Sequence, residues 1–235
     1  PQKIAIIGGG PAGLSCAYYL AEKGYRPTVF EKEQRLGGML ENGLPSFRLE
    51  KDVVQAEIDV LREMGVQFRC GVEVGKDVTI AQLRQEGFRG FYVAVGLQSG
   101  GKLDIPGDVA GAIQWMKGVK AGNIAVGGSI AVVGGGNTAM DAARLAKRSG
   151  AEHVTLVYRR TRKYMPADEH ELALALADGV TFAELAAPVR QADGVLTCEK
   201  MVLGEADASG RRSPVGSGEF FDIPCDLVIS AVGEQ

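Results

Sequence analysis

Cysteine is scarce in this sequence and, where present, solitary. Cys16, Cys70, Cys198 and Cys225 form no Cys-x-x-Cys or Cys-x-x-x-x-Cys pair, and His153 and His170 have no partner at metal-ligand spacing. Zinc, a haem attachment, an iron–sulfur cluster within this chain and a dithiol redox centre are therefore excluded. Each cysteine reads as a small buried hydrophobe, and sparse unpaired cysteines suit a reducing cytoplasm. A basic excess is missing too. Lys and Arg total 26 against 29 Asp and Glu, a net charge of -3, so no field draws nucleic acid or anionic lipid. Long apolar runs are lacking: stretches such as Leu227 to Val232 are strand-sized, and nothing approaches a membrane span. No signal peptide opens the sequence. Pro1 leads at once into a strand, from which a natural N-terminus further upstream is expected.

Glycine is what the sequence has in excess, 33 of 235 residues, roughly twice ordinary usage. The 46% apolar and 23% charged fractions are those of an ordinary globular protein. The length allows between one and two domains.

The glycines reveal an internal repeat. Lys3-Ile-Ala-Ile-Ile-Gly-Gly-Gly-Pro-Ala-Gly13 aligns with Ser129-Ile-Ala-Val-Val-Gly-Gly-Gly-Asn-Thr-Ala139. Each copy is a β-branched run, a Gly-x-Gly-x-x-Gly or Gly-x-Gly-x-x-Ala turn, and a helix. The helices are predicted from Ala12 to Lys23 and from Thr138 to Arg148, ending at Gly24 and Gly150. Second strands follow at Pro27 to Glu31 and Val154 to Arg159. In such a unit the first glycine permits the tight turn, the second lets the backbone approach a pyrophosphate, and the third position must be small for close packing of helix and strand. The helix amides and the positive dipole end then hold the phosphates. This predicts an α/β chain of two Rossmann-like dinucleotide-binding domains. Gly8, Gly9, Gly10, Pro11, Ala12 and Gly13 form the first turn; Gly134, Gly135, Gly136, Asn137 and Thr138 form the second.

The residue ending the second strand selects the nucleotide. In the first copy Glu31 can accept hydrogen bonds from a ribose 2′-OH. In the second, Arg159 and Arg160 stand where an acid would repel a 2′-phosphate, and guanidinium groups pair with that phosphate bidentately. The first site therefore reads as FAD and the second as NADPH. A solvated basic loop is the alternative for Arg159, Arg160, Arg162 and Lys163.

The chain resembles the FAD- and NAD(P)H-binding flavoprotein domain of the glutamate synthase small subunit and of dihydropyrimidine dehydrogenase, within the wider pyridine nucleotide-disulphide oxidoreductase-like group. It looks closest to the equivalent region of large iron–sulfur oxidoreductases assigned as selenate reductase subunits. Besides the two glycine turns, the resemblance is carried by Leu36-Gly-Gly38, Leu44-Pro-Ser-Phe-Arg-Leu49, Met140-Asp141, Tyr158-Arg-Arg160 and Met165-Pro-Ala167. It implies that Gly37, Gly38, Met39 and Arg48 lie along the flavin cofactor and that the Val74 backbone reaches its adenine. It also implies that Lys163 assists the two arginines and that Ala231, Val232 and Gly233 turn beside the nicotinamide half. An ordinary loop salt bridge is the alternative for Arg48. Met39 to Ser46 carries no cysteine where the disulfide-reductase branch has its redox pair, which excludes that branch. The family chain returns to its FAD domain after the strand matching Leu227 to Val232, and a Cys-rich iron–sulfur domain precedes its first strand. Neither is present, so an excised fragment is expected, with the second half the more self-sufficient.

The remaining elements are coarser. Asp52 to Met64 reads as an amphipathic helix with apolar Val53, Val54, Ile58 and Leu61. Val66 to Val74 reads as a strand, Ile80 to Glu86 as a helix and Phe91 to Val95 as a strand. The boundary is placed in the turn-rich Ser99 to Gly107 stretch, giving an FAD domain over 1–105 and an NADPH domain over 106–235. Ala112 to Lys120 is a helix in which Trp115 packs, and a helix after Pro166 carries acids that complement its dipole. Val189 to Gln191, Val195 to Leu203 and Phe220 to Ile223 form a small β-meander turning at Asp193-Gly194 and Ser209-Gly210; Asp226 to Gly233 is the last strand and turn. The implied function is an NADPH-oxidising module that passes a hydride to FAD and electrons onward to an iron–sulfur partner, with no side-chain acid or base and no metal. A free-standing NADPH:ferredoxin-type reductase and a non-catalytic dinucleotide-binding scaffold are the alternatives.

Overall fold

The computed structural model describes residues 2–97, 100–101, 103–206 and 212–233. Two units, Pro1–Leu97 and Gln98–Gln235, divide the chain. Ser99 and the expected turn at Ser209-Gly210 lie outside the described residues.

The first unit runs β1 (Lys3–Ile7), α1 (Pro11–Glu22), β2 (Arg26–Glu31), α2 (Met39–Asn42), α3 (Lys51–Glu63), β3 (Gln67–Cys70), α4 (Ile80–Gln85) and β4 (Phe88–Val93). Its four strands are all parallel, in the order β3-β2-β1-β4. A parallel sheet is covered on both faces, which is why β1 is apolar from Ile4 to Ile7 and β2 is buried from Pro27 to Glu31. Ile6 and Val29 face a cluster with Val54, Ile58 and Leu61 of α3, while Ala5 and Phe30 face Leu83 and Phe88. The α3 stripe is Val54, Ile58 and Leu61; Val53, one step round the helix, is half exposed. β4 begins three residues earlier than the apolar run suggests, because Phe88 already pairs with Lys3 across a bulge.

The second unit runs β5 (Val109–Gly111), α5 (Ala112–Lys120), β6 (Ser129–Val133), α6 (Asn137–Arg148), β7 (His153–Tyr158), a 3-10 turn (Arg162–Tyr164), α7 (Glu169–Ala177), β8 (Thr181–Glu184), β9 (Ala186–Ala192), β10 (Val195–Ala206), β11 (Arg212–Pro224) and β12 (Leu227–Ser230). A parallel sheet of order β5-β12-β6-β7-β8 is joined by the antiparallel meander β11-β10-β9. α6 packs closely, with Ala139, Ala142, Ala143 and Ala146 fully buried beside Met140 in the core of this unit. Trp115 of α5 is buried in the same cluster. Asp178 ties α7 to α6, accepting from Arg144 Nε and Arg148 Nε at 2.8 Å each. The Arg148 guanidinium, then burial against it and the Arg144 guanidinium, leave its carboxyl lowered to about 2.

The repeat extends to topology. β1, β2, β3 and β4 hold the sheet positions of β6, β7, β8 and β12, whereas β5 has no counterpart among the described residues of the first unit.

Candidate functional site: two glycine turns

In the first unit the chain leaves β1 through Gly8, whose φ of +112° is open to glycine and strained for any other residue. A side chain there would also meet the backbone of Ala94, with its Cβ 2.8 Å from the Ala94 carbonyl carbon. Gly13 is needed for space alone: a Cβ would press into the Gly8 carbonyl, 3.1 Å from its carbon and closer still to its oxygen. α1 opens at Gly10 and Pro11 with no side-chain cap and no acid in its first turn, so its amide end is open to an anion. Ala12 is exposed there.

Glu31 ends β2 almost fully buried. Its Oε2 accepts from the Gly9 N–H at 2.7 Å and its Oε1 from the Glu33 N–H at 2.9 Å. The carboxylate thus fixes the turn and keeps lone pairs for a further donor. Gly37 donates to the Gly9 carbonyl at 2.8 Å, and a Cβ on Gly38 would stand 2.7 Å from Gly10 Cα, so the Gly37–Met39 loop lies directly on the turn. That loop is pinned from behind by Lys51, whose Nζ donates to the Leu40 and Leu44 carbonyls at 2.7 Å each; burial lowers its pKa. Arg48 and Val74 are carried on separate loops: the Arg48 N–H donates to the Pro45 carbonyl at 3.1 Å, and Val74 packs with Phe30 and Phe88.

The second unit builds the same turn around a cleft of about 1170 Å³. Gly134 has φ +152°, and a Cβ there would stand 2.5 Å from the Ala231 carbonyl oxygen. Gly135 faces the ring of Tyr158; its Cβ would lie 2.8 Å from Cδ2 and 2.9 Å from Cζ. α6, like α1, starts without a side-chain cap or a first-turn acid. Gly134, Gly135, Gly136, Thr138, Arg159 and Arg160 line one part of the cleft, and Ala231, Val232 and Gly233 line another. Asn137 turns its Oδ1 to the Asp168 N–H at 3.3 Å instead. Arg159 is exposed, and the buried Nε of Arg160 has no hydrogen-bond partner. Lys163 does not line the cleft; its Nζ lies over the Tyr164 ring, 5.9 Å from the centroid.

Tyr158 and Met165-Pro-Ala167 stand in the motifs that carry the family resemblance, but residue type and spacing assign no role to them, to Gly101 or to Ser230; the structure makes them the residues that hold these pieces in place. Tyr158 donates through its hydroxyl to the Tyr164 carbonyl at 2.7 Å. Ala167 donates to the Gly135 carbonyl at 2.9 Å, docking the Met165-Pro-Ala167 segment onto the turn. Gly101 donates to the Gly233 carbonyl at 2.6 Å and accepts from Ser230 Oγ at 3.3 Å. The acids after Pro166 have structural duties: Asp168 caps α7 by accepting from the His170 N–H, and Glu169 pairs with Arg162 at 3.0 Å. All four cysteines are free, burial raises every thiol, and Cys198 reaches about 12. Among the described residues no group of His, Cys, Asp or Glu could hold a metal ion, and no helix is long and apolar enough to cross a membrane.

Two strand–glycine turn–helix–strand units define a dinucleotide-dependent oxidoreductase fold. The chain belongs to the pyridine nucleotide-disulphide oxidoreductase family, whose pattern matches residues 2–235. It is 42% identical over 247 aligned positions to the NADP(+)-dependent formate dehydrogenase subunit beta of Moorella thermoacetica, covering 99% of this chain and 35% of that protein. It is 40% identical to the NADPH-Fe(3+) oxidoreductase subunit beta of Geobacter sulfurreducens, covering all of this chain and 37% of that protein. The glutamate synthase [NADPH] small chain of Azospirillum brasilense is 37% identical, with 98% of this chain and 52% of that protein covered. The chain thus spans from about a third to about half the length of these relatives. Among solved structures, FprA of Mycobacterium tuberculosis in complex with NADPH shares the fold at a TM-score of 0.81 and 20% identity, over all of this chain and 71% of that one. Both glycine turns and the cleft of the second unit lie within the residues that this family pattern matches.

Proposed function

We propose that this chain is the NADPH-oxidising flavoprotein module of a larger oxidoreductase. The first unit holds FAD, with Gly8 to Gly13 at the pyrophosphate, Glu31 at the ribose and Gly37, Gly38, Met39, Arg48 and Val74 along the cofactor. The second holds NADPH, with Gly134 to Thr138 at the pyrophosphate, Arg159 and Arg160 at the 2′-phosphate, Lys163 assisting from outside the cleft, and Ala231 to Gly233 towards the nicotinamide. The observation that carries this reading is the cleft of the second unit, which two arginines line together with the glycine turn and the uncapped start of α6.

When bound, the two cofactors supply hydride transfer from NADPH to FAD and onward release of electrons to an iron–sulfur centre in a partner domain or subunit. The chain's own residues bind and orient. Glu31 stiffens the first turn through Gly9, Lys51 holds the loop above it, and Arg159 and Arg160 neutralise the phosphate. The subunit names of the relatives support a multi-subunit setting, and NADP(H) in all three names supports the nucleotide. Four free, protonated cysteines support a reducing cytoplasm.

The test is a visible spectrum of the chain with added FAD, followed by anaerobic NADPH titration. Flavin bands that bleach with NADPH and poorly with NADH are expected. Equal bleaching by NADH overturns the role of the arginines, and a chain that binds neither nucleotide overturns the reading as a whole.

A further inference from the structure

The loop that follows β7 is held unusually well for a surface segment. Tyr158, the last residue of β7, is buried, and its hydroxyl reaches six residues ahead to the Tyr164 carbonyl at 2.7 Å. The same ring packs against Gly135, where no side chain fits. Two further ties come from the end of β8: Leu185 donates to the Arg160 carbonyl at 3.1 Å, and Glu184 Oε2 accepts from the Arg162 N–H at 2.9 Å. Leu185 adopts φ +53° at this tie, a conformation that a bulky residue keeps only where its surroundings demand it. The backbone of Arg159 and Arg160 is therefore fixed on both sides, and one aromatic ring sets its height against the glycine turn.

We propose that Tyr158 is the positioning residue for nucleotide selectivity in the second unit, through the loop it closes. The inference rests on the assignment of the 2′-phosphate to Arg159 and Arg160. Long guanidinium side chains lose less freedom on binding when their backbone is already placed. Removing the hydroxyl leaves the ring on Gly135, and with it the pyrophosphate turn, but takes one tie from the far end of the loop, where Tyr164 and Met165 keep their turn bonds to Thr161 and Arg162. The loss should therefore fall on the 2′-phosphate and spare the rest of the nucleotide.

The experiment is calorimetric titration of the full chain with 2′-phospho-ADP-ribose and with ADP-ribose, which differ only in that phosphate. Wild type, Tyr158→Phe, Glu184→Ala and Arg159→Ala are compared. Tyr158→Phe should weaken 2′-phospho-ADP-ribose by about 3- to 10-fold, the range of one lost neutral hydrogen bond, and leave ADP-ribose unchanged. Glu184→Ala, which frees the loop from the opposite side without touching the ring, should show the same pattern. Equal weakening of both ligands, or of neither, in Tyr158→Phe overturns the proposal, whatever Glu184→Ala shows, while Arg159→Ala still narrows the preference. A wild type that does not distinguish the ligands overturns the arginine assignment and the proposal with it.

Discussion

Gly13→Ala tests the geometry of the first glycine turn against the ordinary preference of helices. On propensity alone the change should help, since alanine is favoured over glycine in a helix by about 1 kcal/mol, somewhat less in the first turn. Packing opposes it. The new methyl would overlap the Gly8 carbonyl, with that carbon 3.1 Å away and Ile6 Cγ2 at 3.2 Å. Both neighbours are rigid, one being backbone and the other a fully buried side chain, so α1 must lift off β1. Overpacking of this kind costs about 1–3 kcal/mol, and a backbone clash belongs at the upper end. The clash therefore wins, with a net loss of about 1–2 kcal/mol. The assay is urea unfolding followed by far-UV circular dichroism and by the fluorescence of Trp115, the single tryptophan, which is buried in the second unit. The dichroism midpoint should fall while the Trp115 transition holds its place, and flavin occupancy should drop because the amides of α1 have moved. Ala139→Gly at the equivalent position should shift the Trp115 transition instead, by about 1 kcal/mol. A Gly13→Ala chain as stable as wild type, still binding FAD, would refute the reasoning.

Arg159→Ala should weaken NADPH about 10- to 150-fold, the 1.5–3 kcal/mol of a charged hydrogen bond, and leave NADH nearly unchanged; equal weakening of both would make Arg159 structural. Glu31→Ala should lower flavin occupancy, read from the visible spectrum, and spare NADPH binding; loss of NADPH binding instead would mean the two sites are exchanged. Asp178 gives a pH signature. Its folded pKa, about 2, lies below the ordinary 3.8, so its stabilisation is complete above the unfolded value and is lost as pH falls through about 2. The urea-stability gap between wild type and Asp178→Ala should be about 1–2 kcal/mol at pH 6, discounted for partial solvent screening, and should shrink towards pH 2. A gap that ignores pH would remove the ion cluster from the argument.

The parts of the fold legible in the sequence were those with a local cause. Glycine spacing announced both turns because each glycine answers to a steric demand that no other residue meets. Glu31, Arg159 and Arg160 were legible because strand length fixes what stands at the strand end. Tertiary causes were not legible. β5 and β8 are three and four residues long and exist because β12 and β7 offer them an edge. The meander strands run longer than their apolar cores, since β10 and β11 continue as a mostly exposed ribbon held by their own pairing. Tyr158 stands in a family motif, but its hold on Tyr164 was not legible there, because a side-chain hydroxyl meeting a backbone carbonyl leaves no trace in residue type.

The outer edge of β4, which pairs with no further strand among the described residues, bears on how this chain behaves in solution. In the second unit β5 seals the flank of β12, and Val228 and Ile229 there are wholly buried. At the matching place β4 is bonded to β1 on one side only, and Tyr92 and Val93 are 43% and 66% exposed. Phe88-Arg-Gly-Phe-Tyr-Val93 holds a single charge as gatekeeper, and an apolar strand whose outer edge pairs with nothing among the described residues is a template for another strand. Concentrated preparations should therefore associate through this flank. A lysine at Tyr92 or Val93 would give a chain that stays dispersed, with both glycine turns intact.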